Sequence, residues 1–323
     1  MEYFQQTHPF WHDLIIKPKR PVYRMDGKDN RYYHTVGDDG NVHFFPSVTS
    51  IIQATTPTPY HLIKWYADYG MKRAEQLRDE KAHYGTVLHI LIATLLKNGE
   101  MNLDATVQTM LYEYADDKGL TCDIGGWVRE LQRDLLAFNQ FAADYAVTPV
   151  AIEMPLVSKR LGYGGAIDLT AEITIEEKGF WGDVYASGAN KGQPKETKRA
   201  RRVVAIIDFK SGRHGFYESN EIQANMYLDL WNDNHPELPA ERCMNWRPKD
   251  WQGDNATYEL KDQTGRESAA QIPLLLALFS LREREAPAGV QTIGGTITLG
   301  QTGGNVGFTT VAELAKLRSG AAA

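Results

Sequence analysis

From Val203 to Ile207 the chain reads Val-Val-Ala-Ile-Ile, an unbroken apolar run of largely β-branched residues that predicts a buried strand. Two further segments, Val147–Ser158 and Tyr163–Ile173, carry similar strand patterns, and Arg202–Lys210 completes a set of three. Earlier in the chain, Asn30–Val48 reads as a β-hairpin around Asp38-Asp39-Gly40. Ser47 then stands where an N-cap opens a helix. Helical periodicity follows from Pro59 to Gly99, with an expected break near His83–Thr86, and from Asn102 to about Tyr145, interrupted at Gly125-Gly126. After the strands come a helix from Glu218 to Asn234, short strands in Glu241–Trp246 and Asn255–Asp262, and an apolar-faced helix over Ala269–Glu285. Eight glycines mark Ala286–Ala323 as a flexible or edge-packed extension, ending in a short helix opened by Thr310 and Glu313.

These elements alternate as an α/β protein does, and they divide at 1–145, 146–285 and 286–323. The stretch 174–202 inside the second unit is expected to be an insertion. Its end, Pro194–Arg202, holds five basic residues and one acidic, which suits either a solvated loop or a contact to a phosphate backbone. On the second view Lys198, Arg199, Arg201 and Arg202 bind DNA.

Composition narrows the function classes. No apolar run reaches 18 residues and the N-terminus lacks a signal-peptide pattern, so a cytoplasmic location is expected. Two cysteines, Cys122 and Cys243, form no disulfide framework and no four-cysteine cluster, which suits a reducing compartment. The net charge of -6 argues against coating nucleic acid through bulk charge, yet leaves room for a local basic surface or an acidic metal pocket.

The chemistry centres on the end of the apolar strand, where Asp208 and Lys210 project on the same side. If Tyr163–Ile173 pairs antiparallel with Arg202–Lys210, Asp168 falls beside Asp208, and Glu153 of the preceding strand can enter the same space. Converging carboxylates repel, and a hard divalent cation relieves them. An Asp208–Lys210 structural ion pair is the plainer reading of the same residues. Gln223 and Tyr227 lie on one helical face, where Tyr227 also suits a core position. His89, deep in an apolar helix, suits either a hydrogen-bonded core histidine or a metal ligand.

Gly85-Thr86…His89, Glu153, Gly164-Gly165-x-Ile167-Asp168, Ile207-Asp208-Phe209-Lys210-Ser211 and Gln223-x-x-x-Tyr227 together resemble the PD-(D/E)XK nuclease superfamily. The order is similar to that of its RecB-type exonuclease branch, which includes the mitochondrial genome maintenance exonuclease and phage relatives. The resemblance covers Phe45 to Trp251 and implies a restriction-endonuclease-like mixed sheet flanked by helices, with an N-terminal helical subdomain. It implies a Mg2+- or Mn2+-dependent DNA exonuclease of replication, recombination or repair, and the compact stand-alone core points to a phage. Asp168, Asp208, the main-chain carbonyl of Phe209 and His89 would then hold metal. Lys210 would be the catalytic lysine, Glu153 a further site carboxylate, and Gln223 with Tyr227 would support the site and touch DNA. Lys64, Trp65, Lys72 and Arg73 would line an arch for a single strand. Ala93 stands four residues after His89, where many relatives have glutamate, and two cysteines exclude the iron-sulfur branch. An endonuclease with the same core, or a non-catalytic nucleic-acid-binding protein, are the competing expectations.

Overall fold

The computed structural model describes residues 20–26, 30–38, 40–213, 215–250 and 255–282, together with the backbone of two strands at 291–296 and 305–310. It is a mixed α/β protein. Three short strands, β1 (Tyr23–Asp26), β2 (Arg31–Val36) and β3 (Val42–Pro46), form an antiparallel sheet. Its β2–β3 hairpin turns at the expected place. Ser47 caps α1 (Val48–Thr55) by accepting the Ser50 N–H at 3.0 Å.

The helical region then holds α2 (Tyr60–Tyr69), α3 (Met71–Asn98), α4 (Leu103–Lys118) and α5 (Gly125–Asp144). No break occurs at His83–Thr86. The chain turns instead at Gly70, whose φ of +74° suits a residue without Cβ. Glycine inside a helix costs about 1 kcal/mol, yet Gly85 stays helical. A Cβ at that position would lie 3.0 Å from Ser211 Oγ. The second interruption also shifts, since Gly125-Gly126 begins α5 and the break spans 119–124.

The central sheet has the order β4 (Thr148–Ser158), β5 (Tyr163–Val184), β6 (Pro194–Phe209), β7 (Arg242–Pro248) and β8 (Tyr258–Asp262). Neighbours are antiparallel except β6–β7, which α6 (Glu218–Asn234) joins as a parallel crossover. A 3-10 turn (Glu267–Gln271) leads into α7 (Ile272–Arg282), so Pro273 sits in a first turn, where its missing N–H costs nothing. β9 (Gln291–Thr296) and β10 (Asn305–Thr310) pair antiparallel, so this part of the glycine-rich extension is a hairpin. The helix expected after Thr310 lies outside the described residues.

Each face of the sheet has its own core. Val203, Ala205, Ile207 and Phe209 pack with Leu169, Trp246 and the apolar sides of α3, α4 and α5. Ile206 and Cys243 pack on the other face with α1, α6 and α7, around Trp231. Burial on both faces is why β6 reads as a continuous apolar run. Residues 174–202 are mostly paired strand rather than a solvated loop: β5 and β6 stay together out to Val184 and Pro194, forming a long two-stranded ribbon closed by residues 185–193. No helix among the described residues is long and apolar enough to cross a membrane.

Candidate active site

Strand register builds the site. On β4 and β5, Ile152 faces Leu169 and Met154 faces Ile167, which sets Glu153 across from Asp168. Leu169 faces Ile207, so the next step of the same ladder brings Asp168 level with Asp208. On the parallel side Asp208 is paired with Asn245, and Asn245 with Lys261. One row thus crosses all five strands, with three carboxylates on adjacent strands at the end of β6. Such a row is what the apolar strand pattern interrupts itself to provide.

Glu153 carries a φ of +49°, and only Ala146 shares this left-handed region among the described non-glycine residues. A glutamate there stores about 1–3 kcal/mol of strain. The backbone reversal breaks the alternation of β4, since Ile152 joins one core and Met154 the other. Its consequence is to hold the Glu153 carboxylate at the site.

His89 reaches the row from α3. Its Nδ1 donates to Glu153 Oε1 at 2.9 Å and lies 3.6 Å from Asp168 Oδ1, while its ring meets Phe209 edge-on at 5.5 Å between centroids. Donor atoms of His89, Glu153 and Asp168 all lie within 4.8 Å of one another. This group could hold a metal ion. Burial opposes charge on His89, but Asp168, Glu153 and Asp208 together outweigh it and hold the imidazole up at about 9. Burial likewise raises the Asp168 carboxyl, against the pull of His89. Asp208, 2 % exposed, is pushed by burial to about 6, against the pull of Lys210.

Asp208 differs from the other two acids in its partners. Its Oδ2 receives Lys210 Nζ at 2.6 Å and Asn245 Nδ2 at 2.7 Å, and it stands outside the three-residue group. Phe209 contributes its N–H, which donates to Asp168 Oδ2 at 2.7 Å. From Lys210 a chain runs outward: Nζ donates to Gln223 Oε1 at 3.1 Å, and Gln223 Nε2 donates to the Tyr227 hydroxyl at 3.1 Å. The Tyr227 ring is admitted by Gly165, where a Cβ would sit 2.6 Å from Cε1.

The basic residues of the ribbon lie elsewhere. Lys198 pairs with Glu176 at 2.9 Å, Arg199 with Asp183 at 3.2 Å, Arg201 with Glu177 and Glu241, and Arg202 with Glu172. Lys64, Lys72 and Arg73 are exposed on α2 and the start of α3, and Trp65 is half-buried against Tyr66 and Tyr69.

Sequence reading missed a polar column behind Asp208. Asn245 is held by Gln263 Nε2 at 2.8 Å, and the Gln263 carbonyl accepts from Asn225 Nδ2 at 2.8 Å. The signal was a lone amide between Met244 and Trp246 in a buried strand, which needs a partner. It also missed Asp134, which lies three residues after Leu131 on the apolar face of α5 and is fully buried. Asp134 accepts from Arg213 Nη2 and from the Tyr84 hydroxyl, each at 2.7 Å.

No family model and no characterised protein matches this chain.

Proposed function

We propose that this protein is a metal-dependent deoxyribonuclease with a restriction-endonuclease-like core, hydrolysing phosphodiester bonds from free, single-stranded DNA ends. The observation that carries the reading is the row of Glu153, Asp168 and Asp208 on adjacent strands, closed by His89 above and Lys210 beside it. Three carboxylates and one imidazole suit Mg2+ or Mn2+, both hard cations with oxygen preference. His89, Glu153 and Asp168 would hold the ion, with Asp208 at the next ladder position. When bound, such an ion supplies Lewis-acid stabilisation and a water of lowered pKa.

The chain's own groups have separate duties. Lys210 carries a fixed positive charge to the phosphoryl oxygens, where it matters most as charge builds in the transition state. Asp208 and Gln223 grip its ammonium from two sides, and Tyr227 steadies Gln223. Glu153 orients the His89 ring through Nδ1, leaving Nε2 to face away from that bond. Burial of the acids keeps bulk water from screening them. The protein would act in DNA replication, recombination or repair in a bacterial or phage-infected cytoplasm.

End-labelled linear single-stranded DNA and a closed single-stranded circle, each with Mg2+, Mn2+ or EDTA, test the reading. Metal-dependent loss of the linear strand alone, reduced at least a hundredfold in Asp208→Ala and Lys210→Ala, is expected. Cutting of the circle would make the protein an endonuclease with the same site. Activity that survives both substitutions would place the chemistry elsewhere, and metal-independent binding without cleavage would leave a nucleic-acid-binding protein.

A further inference from the structure

The β5–β6 ribbon leaves the body of the protein. None of residues 174–202 is buried, and past Ile175, which packs against the core at the ribbon's root, no core accounts for its length. Seven basic and four acidic residues give it a charge of +3 in a chain of -6. Its inner cations are tied to carboxylates, but Lys178 and Lys191 form no ion pair among the described residues. Lys195 lies 5.9 Å from the centre of the Tyr185 ring, and the Arg199 guanidinium lies 5.6 Å from that of Trp181.

Around these cations three aromatic side chains face solvent: Phe180 at 68 %, Trp181 at 39 % and Tyr185 at 38 % exposure. A solitary exposed ring needs no explanation, but here three lie on one hairpin tip, although Trp181 also donates its indole N–H to the Thr197 carbonyl at 3.2 Å. Rings that accept bases, interleaved with ammonium groups that accept phosphates, are the combination by which single strands are held without sequence preference.

Reach agrees with this occupant. Phe180 lies twelve residues along β5 from Asp168, about 40 Å of strand at ~3.3 Å per residue. That equals about 12 nucleotides of a strand kept stacked at the duplex rise of ~3.4 Å. We infer that the ribbon is a nucleic-acid-binding arm that grips the single strand about 12 nucleotides from the scissile bond. Phe180, Trp181 and Tyr185 stack on bases there, and Lys178, Lys191 and Lys195 meet phosphates. The inference rests on the nuclease reading above for the identity of the strand.

Two variants test it. One replaces Glu176–Ala200 with an Asn-Gly turn joining Ile175 to Arg201, which face each other in the native ladder. The other keeps the full ribbon and carries Phe180→Ala, Trp181→Ala and Tyr185→Ala. Binding of fluorescein-labelled thymidine oligomers of about 30 and about 6 nucleotides is followed by anisotropy in EDTA, and their cleavage in Mn2+. Both variants are expected to lose tenfold or more in affinity for the long oligomer while handling the short one as wild type does. Unchanged affinity for the long oligomer in the triple variant, or equal losses at both lengths, overturns the arm. Should the shortened chain fail to fold, the triple variant alone decides. Wild type that cuts both oligomers with no ribbon dependence removes the arm and keeps the nuclease. Ribbon-dependent binding without any cleavage keeps the arm and removes the nuclease.

Discussion

His89 shows how a residue's neighbours decide its chemistry. An imidazole with an ordinary pKa of 6.5 is held up at about 9 by Asp168, Glu153 and Asp208, despite burial that favours the neutral ring. The folded protein therefore binds this proton more tightly than the unfolded chain. The resulting stability is fully present below pH 6.5 and is lost as pH rises through about 9. In EDTA, the thermal midpoint is expected to fall across that window, and His89→Gln to flatten the fall. A midpoint that is level in wild type, or a slope unchanged in the variant, would show that the cluster does not hold the proton. Metal binding should oppose the same proton, since a ligating imidazole must be neutral, so affinity for Mn2+ should rise with pH.

Among the elements, α6 carries the tightest demand. It presents Gln223 and Tyr227 to the end of β6, and Tyr227 fits only because Gly165 of β5 has no side chain. Gly165→Ala would place a methyl 2.6 Å from Tyr227 Cε1. Overpacking of this kind costs about 1–3 kcal/mol, and the displaced ring would loosen the Gln223 hold on Lys210. The urea midpoint should fall, and on the proposed nuclease reading DNA cleavage should fall with it. Gly126 of α5 is the contrast, since a Cβ there meets nothing within 4 Å. Gly126→Ala should instead stabilise, by about 0.4–1 kcal/mol, by reducing the conformational freedom of the unfolded chain. Equal urea midpoints in the two variants would mean that the Gly165–Tyr227 contact does not constrain the fold.

Across the whole molecule, the helical region and the sheet are joined at the site by charge as well as by apolar packing. Arg213 follows the β6 site residues, and its guanidinium bonds Asp134 of α5 at 2.7 Å and the Lys249 carbonyl at 3.2 Å. Tyr84 of α3 shares the same carboxylate. Burial raises the Asp134 carboxyl, against the pull of Arg213, so the pair is held against a desolvation cost. Removing one partner of such a pair leaves a buried charge behind. Arg213→Ala is expected to cost about 3–5 kcal/mol in chemical denaturation, and a loss below ~1 kcal/mol would mean that Asp134 is compensated by other groups. Through this tie, the loop after Lys210 stays registered against the helix that carries His89.

Local pattern was enough to read the order of elements, because strand and helix periods are written in nearest neighbours. The apolar run of β6, the Ser47 cap and the extent of α6 were all legible in this way. So was the Asp168–Asp208 juxtaposition, since antiparallel pairing of two recognised strands leaves few registers that keep both faces apolar. Helix continuity at Gly85 was not legible, because the reason for a glycine there, Ser211 standing where a Cβ would go, is remote in the chain. Nor was the ribbon, whose polar residues conceal a paired strand because no core marks its faces. The left-handed Glu153, the amide column behind Asp208 and the Asp134–Arg213 tie belong wholly to tertiary structure. Chain pattern specifies which residues are apolar or charged, but which charge is buried against which partner is decided only when both layers close on the sheet.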